Sequence, residues 1–261
     1  MEQEAVRVPP PPRLQRIIRV VLPAFNEEKA LVPLTGRIRQ MMVFHGLDYE
    51  ITVVDDGSSD DTLKVAKECA REMPIRILRH LKNAGLGATI RDGLIDAVKN
   101  AGEHDIIITM DADNSHTPGL ILRMVRLIDE GCDVVIASRF TPGARVLGVS
   151  FFRQILSIGA SWMVRLLLPI PGVKDFTCGF RAYRADILRE AFAKYQTSFI
   201  EQEGFQCMVD ILLKLRDLDL VFGEVPLIHR YDLKPSSSKM NVGRTVMGTI
   251  KLLLSRRFGS R

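Results

Sequence analysis

The 261-residue sequence lacks any paired arrangement of cysteines. Its four cysteines, Cys69, Cys132, Cys178 and Cys207, lie far apart, and no two of them form a CxxC pair. This spacing argues against a zinc site and against a framework of disulfides, and it is typical of a protein from a reducing compartment.

Long hydrophobic runs are also missing. No stretch reaches the roughly 18 uninterrupted apolar residues of a membrane-spanning helix. The N-terminus is acidic and then proline-rich, without the apolar core of a signal peptide. We therefore expect a cytoplasmic protein in which residues 1–15 form a flexible proline-rich arm ahead of the fold.

Two common nucleotide-binding motifs are absent. Gly85-x-Gly87 is followed by Ile90 where a dinucleotide fingerprint needs a third glycine, and it comes after the third predicted strand instead of the first. The sequence contains no GxxxxGK[ST] motif. Both observations argue against a Rossmann dehydrogenase and a P-loop nucleotidase.

The overall composition is that of an ordinary soluble domain, with 46% hydrophobic and 26% charged residues. The formal net charge is +5, which is mildly basic. A basic balance suits a phosphate-bearing substrate, an anionic membrane surface or nucleic acid equally well, so it does not choose among these partners.

Apolar runs and amphipathic stretches alternate at short spacing, which predicts a doubly wound α/β fold with a mostly parallel sheet. The predicted strands are Ile17–Leu22, Tyr49–Val54, Ile75–Arg79, Asp105–Met110, Asp133–Ala137, a strand within Cys178–Arg184, and an edge strand over Leu220–His229. The predicted helices cover about 26–44, 62–72, 88–100, 120–130, 185–195 and 201–215.

The apolar run Ile106–Met110 ends abruptly in two carboxylates, Asp111 and Asp113. Ligands of open α/β sheets bind at the carboxyl ends of central strands. Two aspartates at such a strand end can bind Mg²⁺ or Mn²⁺, and the cation can bind a diphosphate. The alternative is a loop in which Asp113 or Asn114 caps the helix after Pro118.

Two apolar helices are predicted in the second half of the chain, over about 151–168 and 242–254. The first combines phenylalanines, the single tryptophan and arginines at its edges, and a basic tail follows the second. These amphipathic helices either pack in the core or lie at a bilayer interface.

Five features occur in order at strand ends and loops, and together they carry a resemblance to a known family. They are Pro23-Ala24-Phe25-Asn26-Glu27, Val54-Asp55-Asp56-Gly57-Ser58, Gly85-Leu86-Gly87, Asp111-Ala112-Asp113 and Ser138-Arg139. The chain resembles the family-two glycosyltransferases of GT-A fold and, within them, the polyprenyl-phosphate sugar transferases. The resemblance implies one domain over 16–261, with a nucleotide-sugar half over about 16–140 and an acceptor half over about 141–261.

On the donor side, the resemblance assigns Pro23, Phe25, Glu27 and Asp55 to the nucleotide base and ribose. An aromatic ring for stacking and carboxylates for hydroxyl groups suit these roles, while helix capping is the alternative for Glu27 and Asp55. The resemblance also implies that Asp111 and Asp113 bind the metal and the diphosphate. Many relatives carry a glutamine two residues later, where this chain has Ser115.

On the acceptor side, the resemblance implies that Arg139 meets the donor or acceptor phosphate and that Arg153 faces the acceptor phosphate. Arg139 in a surface ion pair is the alternative, and Arg181 or Arg184 could serve in place of Arg153. Lys239 matches the lysine of a mobile loop that closes over the diphosphate. Asp113, Arg139 and Lys239 are therefore the expected catalytic residues.

The implied activity is inverting transfer of mannose or glucose from GDP-mannose or UDP-glucose to a polyprenyl phosphate. A phosphate monoester is already an anion, so it needs no protein base. A hydroxyl acceptor would need one, and Glu201 or Glu203 would then be the candidate. A third possibility is a catalytically silent nucleotide-binding subunit. We expect peripheral membrane attachment, directly or through a membrane protein, and no nucleic-acid partner.

Overall fold

The computed structural model describes residues 16–148, 165–167, 169–234 and 248. Within this part of the chain the main sheet has seven strands in the order β3-β2-β1-β4-β7-β5-β8, and β6 pairs with β9 in a small second sheet. The strands are β1 Ile17–Ala24, β2 Asp48–Asp55, β3 Ile75–Arg79, β4 Ile106–Thr109, β5 Val134–Ser138, β6 Arg145–Leu147, β7 Arg181–Arg184, β8 Phe222–Pro226 and β9 Ile228–Arg230.

The sheet is mostly parallel, as predicted. Strands β1, β2, β3 and β4 run in one direction, and β5 is parallel to β8. Strand β7 is inserted antiparallel between β4 and β5. The chain leaves β1 toward β2 on one side and returns to β4 on the other, so a crevice opens between the carboxyl ends of β1 and β4.

Helices pack against this sheet and against one another. They are α1 Glu28–Phe44, α2 Thr62–Cys69, α3 Leu86–Asn100, α4 Leu120–Asp129, α5 Ala185–Tyr195 and α6 Cys207–Arg216. Helix α3 lies on β1 and β2. A Cβ atom on Gly93 would lie 2.5 Å from Val21 Cγ1, so the close approach of α3 to the sheet requires glycine at this position.

The core is made by the strands that the sequence marks as continuous apolar runs. Residues 20–22, 106–108 and 134–137 are each at most 1% exposed. Burying one such aliphatic side chain stabilises the fold by about 1.5–3 kcal/mol. These runs fix the positions at which β1 and β4 end, and therefore fix the crevice.

Two predicted elements are wrong in their bounds. The helix predicted from Glu201 begins at Cys207, because the preceding segment is held in a loop by a bond from Gly87 N–H to the Glu203 carbonyl. The strand predicted over 220–229 is two strands. After Pro226 at the edge of the main sheet, the chain turns away and β9 pairs with β6.

The predicted arm over 1–15 lies outside the described residues, as do the predicted interfacial helices except for 165–167 and Gly248. Within the described residues, no helix is both long and apolar enough to cross a membrane.

Candidate functional site

A cavity of about 370 Å³ lies at the crevice between the carboxyl ends of β1 and β4. Its walls come from the loop after β1, the glycine loop before α3, and the loop after β4. Asp56, just after β2, and three later residues, Phe205, Tyr231 and Lys234, complete the lining.

The last residues of β1 and the loop that follows bring Pro23, Phe25 and Glu27 to the cavity wall. Hydrogen bonds to the turn after β2 and to the first residue of α2 fix this loop. Glu27 N–H donates to Thr62 Oγ1 at 2.8 Å, and the neighbouring Asn26 adopts a positive φ of 54°. The structure thus brings together the three residues that the sequence assigns to the nucleotide from this segment.

The two acids at the carboxyl end of β2, Asp55 and Asp56, differ in placement. Asp55 is 1% exposed, and its carboxylate accepts the Ser58 N–H. Asp56, which the sequence analysis did not select, lines the cavity. Its carboxylate accepts the N–H groups of Ala84 and Gly85 at 2.8 and 3.0 Å and contacts His80 Nδ1 at 2.7 Å. Asp56 therefore shapes the glycine loop.

The glycine loop also anchors the segment that carries the two candidate bases. Gly87 N–H donates to the Glu203 carbonyl at 2.9 Å, and a Cβ atom on Gly87 would lie 1.7 Å from the Gln202 carbonyl oxygen. The Glu201 carboxylate lies 3.5 Å from Lys214 Nζ. Of the described residues of segment 201–206, Phe205 is the one that lines the cavity.

The acids after β4 lie side by side in the cavity wall. Asp113 Oδ1 accepts bonds from Ser115 N–H at 3.0 Å and Ser115 Oγ at 2.6 Å. Asp113 Oδ2 contacts Lys234 Nζ at 2.6 Å. Burial raises the pKa of Asp113, but the Lys234 ammonium and the hydrogen bonds outweigh burial and lower it to about 2.

Asp111 is surrounded differently. Its backbone N–H donates to His116 Nδ1 at 3.3 Å, and its Oδ2 lies 3.9 Å from His116 Nε2. Burial raises the pKa of Asp111, with a further rise from the charge of Asp113. The two neighbouring carboxylates therefore have pKa values shifted in opposite directions.

A buried histidine, His229, contacts Ser115, which in turn donates to Asp113. His229 Nε2 lies 2.9 Å from Ser115 Oγ, and because Ser115 donates to an acceptor-only carboxylate, His229 is the donor. Its Nδ1 is buried and has no hydrogen-bond partner within the described ranges. Burial lowers the pKa of His229 to about 3, so the ring is neutral. The rings of His116 and His229 are 4.9 Å apart.

Arg139 lies in an ion pair. Its Nε and Nη2 donate to the Asp175 carboxylate at 2.8 and 2.7 Å, and its backbone N–H donates to the same group at 3.0 Å. The Asp175 carboxylate, together with hydrogen bonds, raises the pKa of Arg139 despite the opposing effect of burial. The positive charge of Arg139 also lowers the pKa of Asp111. The two charged groups are therefore close enough to interact electrostatically.

Arg153 and Lys239, the two remaining predicted phosphate contacts, lie outside the described residues. Arg181 is fully buried and donates to three backbone carbonyls, so its role is structural. The sequence analysis missed Asp56, His116, His229 and Lys234. The doubled aspartate after β2 was the available signal for Asp56, and the basic loop that contains Lys239 was the signal for Lys234.

Comparison with known proteins agrees with this geometry. The family model for glycosyl transferase family 2 matches residues 19–192. The chain belongs to this family. The resemblance seen in the sequence is confirmed.

Two curated relatives are similar over most of this chain. A protein named dolichol-phosphate mannosyltransferase from Pyrococcus furiosus is 33% identical over 76% of this chain. The chain spans about half of that relative's length, 52%. A polyprenol monophosphomannose synthase from Mycolicibacterium smegmatis is 32% identical over 87% of this chain and 82% of its own length.

A solved structure shares the fold of this chain. The glucosyl-3-phosphoglycerate synthase of Mycobacterium tuberculosis, in complex with Mn²⁺, UDP and phosphoglyceric acid, superposes with a TM-score of 0.66. The match covers 95% of this chain and 80% of that chain at 21% identity. This likeness confirms the predicted GT-A architecture.

Proposed function

We propose that the chain transfers mannose from a nucleoside diphosphate sugar to a polyprenyl phosphate. The observation that carries the proposal is the pair Asp111 and Asp113 in the cavity at the β1–β4 crevice of a family 2 chain. The names of the curated relatives, which are polyprenyl-phosphate mannosyltransferases, support the choice of sugar and acceptor.

The nucleotide would occupy the end of the cavity that is lined by Phe25 and Glu27. An aromatic ring offers a stacking surface for a base. A carboxylate can accept hydrogen bonds from ribose hydroxyls. Because the loop after β1 is already fixed by its bond to Thr62, these two groups need little reorganisation on binding.

A divalent cation fits the chemistry of the neighbouring wall. Asp111 and Asp113 both line this wall and offer carboxylate oxygens. Mg²⁺ and Mn²⁺ favour oxygen ligands and keep open positions for phosphate. Among the described residues, no three His, Cys, Asp or Glu side chains form a ready metal site. Diphosphate oxygens and water would therefore supply the remaining ligands.

Bound there, the cation would neutralise charge on the departing nucleoside diphosphate. Asp111 and Asp113 would hold it, and the lining places Lys234 at the same wall. Arg139, oriented by Asp175, would neutralise phosphate charge at the edge of the site, and Arg153 and Lys239 would add to this. The acceptor phosphate attacks the anomeric carbon as an anion in a single displacement, which inverts the configuration.

A hydroxyl acceptor is the weaker alternative. It would need Glu201 or Glu203 as a base within hydrogen-bond reach of the acceptor. The Glu201 carboxylate lies beside Lys214, and the backbone of Glu203 is bound to the glycine loop. Neither residue is among the described residues that line the cavity.

The test uses purified protein, Mn²⁺, a short polyprenyl phosphate, and radiolabelled GDP-mannose or UDP-glucose, with extraction into organic solvent. We expect label in the organic phase with GDP-mannose and none when the same-length polyprenol replaces the phosphate. Asp113→Asn should abolish transfer, whereas the exposed Asp129→Asn should not. Equal labelling of the polyprenol would contradict the proposal and favour a hydroxyl acceptor.

We also propose that the chain attaches peripherally to the membrane surface, where a lipid acceptor would be available. The basic composition and the apolar segment 151–168 support this. Flotation with anionic liposomes should recover the protein, and Trp162→Asp should reduce recovery. Recovery that is equal with uncharged liposomes and unaffected by Trp162→Asp would contradict it.

A further inference from the structure

Lys234 contacts a proposed metal ligand directly. It follows β9 and the short 3-10 helix Tyr231–Leu233. Its Nζ lies 2.6 Å from Asp113 Oδ2, and the two side chains are 12% and 13% exposed. A charge-assisted contact at this distance, largely shielded from water, is stronger than a surface ion pair.

The contact occupies the oxygen that a cation would need. Asp113 Oδ1 already accepts two bonds from Ser115, so Lys234 takes the remaining oxygen. Mg²⁺ or Mn²⁺ would have to bind that oxygen at about 2.1 Å. The ammonium would then lie within a few ångströms of a doubly charged ion, and the repulsion between them would be large.

We propose that Lys234 is an internal counter-ion that holds Asp113 while no divalent cation is bound, is displaced when the cation arrives, and then contacts the donor diphosphate. The inference rests on the proposed function, since it presumes that Asp113 is a metal ligand. It assigns Lys234 a role in ligand binding that none of the five sequence motifs indicates.

After displacement from Asp113, the Lys234 ammonium would stay in the cavity. Lys234 and Tyr231 both line the cavity, and Lys234 Nζ lies 5.9 Å from the centre of the Tyr231 ring. Without nucleotide, the displaced ammonium has lost its carboxylate partner. With a nucleoside diphosphate present, the phosphate oxygens replace that partner.

This exchange makes the binding of cation and nucleotide cooperative. Cation binding alone breaks the Lys234–Asp113 contact without compensation, so affinity for Mn²⁺ alone is weakened. Nucleotide compensates for the loss, so GDP or UDP tightens Mn²⁺ binding, and linkage requires that Mn²⁺ tighten nucleotide binding by the same factor.

The experiment measures Mn²⁺ affinity by electron paramagnetic resonance of the unbound ion, with and without GDP or UDP. We expect Lys234→Met to tighten Mn²⁺ binding without nucleotide by about tenfold, within the usual range for coupled sites. The tightening caused by nucleotide should shrink by a similar factor. Lys234→Arg, which keeps the charge, should resemble the wild type.

Two controls separate this effect from a general change of charge. Lys64→Met removes an exposed lysine of α2 that pairs with Asp61, and it should leave both Mn²⁺ affinities unchanged. Asp113→Asn should lose Mn²⁺ binding with and without nucleotide. Circular dichroism of each variant confirms that the fold is retained.

The proposal is overturned if Lys234→Met leaves Mn²⁺ affinity unchanged, or weakens it as Asp113→Asn does. The transfer assay on the wild type separates this from a failure of the proposed function. Transfer by the wild type together with unchanged Mn²⁺ affinity in Lys234→Met overturns only the role of Lys234. Absence of both transfer and Mn²⁺ binding in the wild type overturns the two together.

Discussion

Replacing Asp175 by asparagine tests how strongly the ion pair with Arg139 stabilises the fold. The Asp175 side chain is fully buried and accepts three bonds from Arg139. It also accepts the N–H groups of Thr177 and Cys178 at 3.2 and 3.1 Å. Asparagine keeps the shape but removes the charge and replaces one acceptor oxygen with a donor.

The magnitude follows from the pKa of Asp175. Burial raises this pKa, but the charge and hydrogen bonds of Arg139 outweigh burial and lower it from 3.8 to about 2. The shift from 3.8 to about 2 is about 1.8 pKa units, and at 1.36 kcal/mol per unit it corresponds to about 2.5 kcal/mol. Removing one partner of a buried pair costs about 3–5 kcal/mol. We expect Asp175→Asn to lower the free energy of unfolding by about 3 kcal/mol at pH 7.

Urea denaturation at several pH values measures the effect. Asp129→Asn is the matched control, because Asp129 also pairs with an arginine, Arg16, but its side chain is 47% exposed. That change should cost at most about 1 kcal/mol. A cost for Asp175→Asn no larger than for Asp129→Asn would refute the reasoning.

The pH dependence gives a second test of the same ion pair. The folded pKa of Asp175 lies below its unfolded value, so its stabilisation is complete above about pH 4 and is lost as the pH falls toward about 2. The difference in unfolding free energy between wild type and Asp175→Asn should therefore shrink over that interval. A difference that stays constant would contradict the assigned pKa.

Three further changes test the cavity walls. Gly87→Ala should weaken binding of GDP or UDP about tenfold by calorimetry, because its Cβ would lie 1.7 Å from the Gln202 carbonyl oxygen and force the loops apart; unchanged affinity would contradict this. Asp56→Asn should also weaken nucleotide binding about tenfold, since the glycine loop loses its charged acceptor, and an equal affinity would count against that role. Ser115→Ala should lower the free energy of unfolding by about 1–3 kcal/mol in urea, since buried His229 loses its acceptor; no loss would show that water replaces it.

The fold was largely predictable because most of its strands correspond to local apolar runs in the sequence. The apolar run of β4 stops at a pair of acids, and β1 and β2 likewise end in polar loops. The antiparallel insertion of β7 was not predictable. Strand β7 has four residues, two of them arginines, and its place is set by pairing with β4 and β5, both distant in sequence.

Buried polar residues explain why other parts of the fold were missed. Arg181 reads as a surface or phosphate-binding residue in the sequence, yet it is fully buried and bonded to the carbonyls of Phe176, Cys178 and Met208. These bonds compensate the cost of burying its N–H groups. Such compensation depends on where distant carbonyls lie, which no local pattern records.

Some residues of the candidate site could likewise be predicted from local sequence, and others could not. Asp111 and Asp113 were found because a motif places them one residue apart at a strand end. Lys234 was not, because its contact with Asp113 joins residues 121 positions apart. His229 contacts Ser115 across 114 positions. The sequence therefore indicates the chemistry of the site, whereas its charge balance depends on the tertiary structure.

The ion pairs already present at the site affect how strongly it binds charged ligands. Asp113 contacts Lys234, and Arg139 contacts Asp175, so two charged groups assigned to ligands already have partners within the chain. A ligand that takes a charged group from its partner exchanges one ion pair for another, and its affinity reflects the difference between the two pairs. Asp113 differs from Arg139 in one respect. Asp175 is buried and fixed by several bonds, whereas Lys234 reaches Asp113 from a cavity wall, so the pair at Asp113 is the one that a charged ligand can exchange.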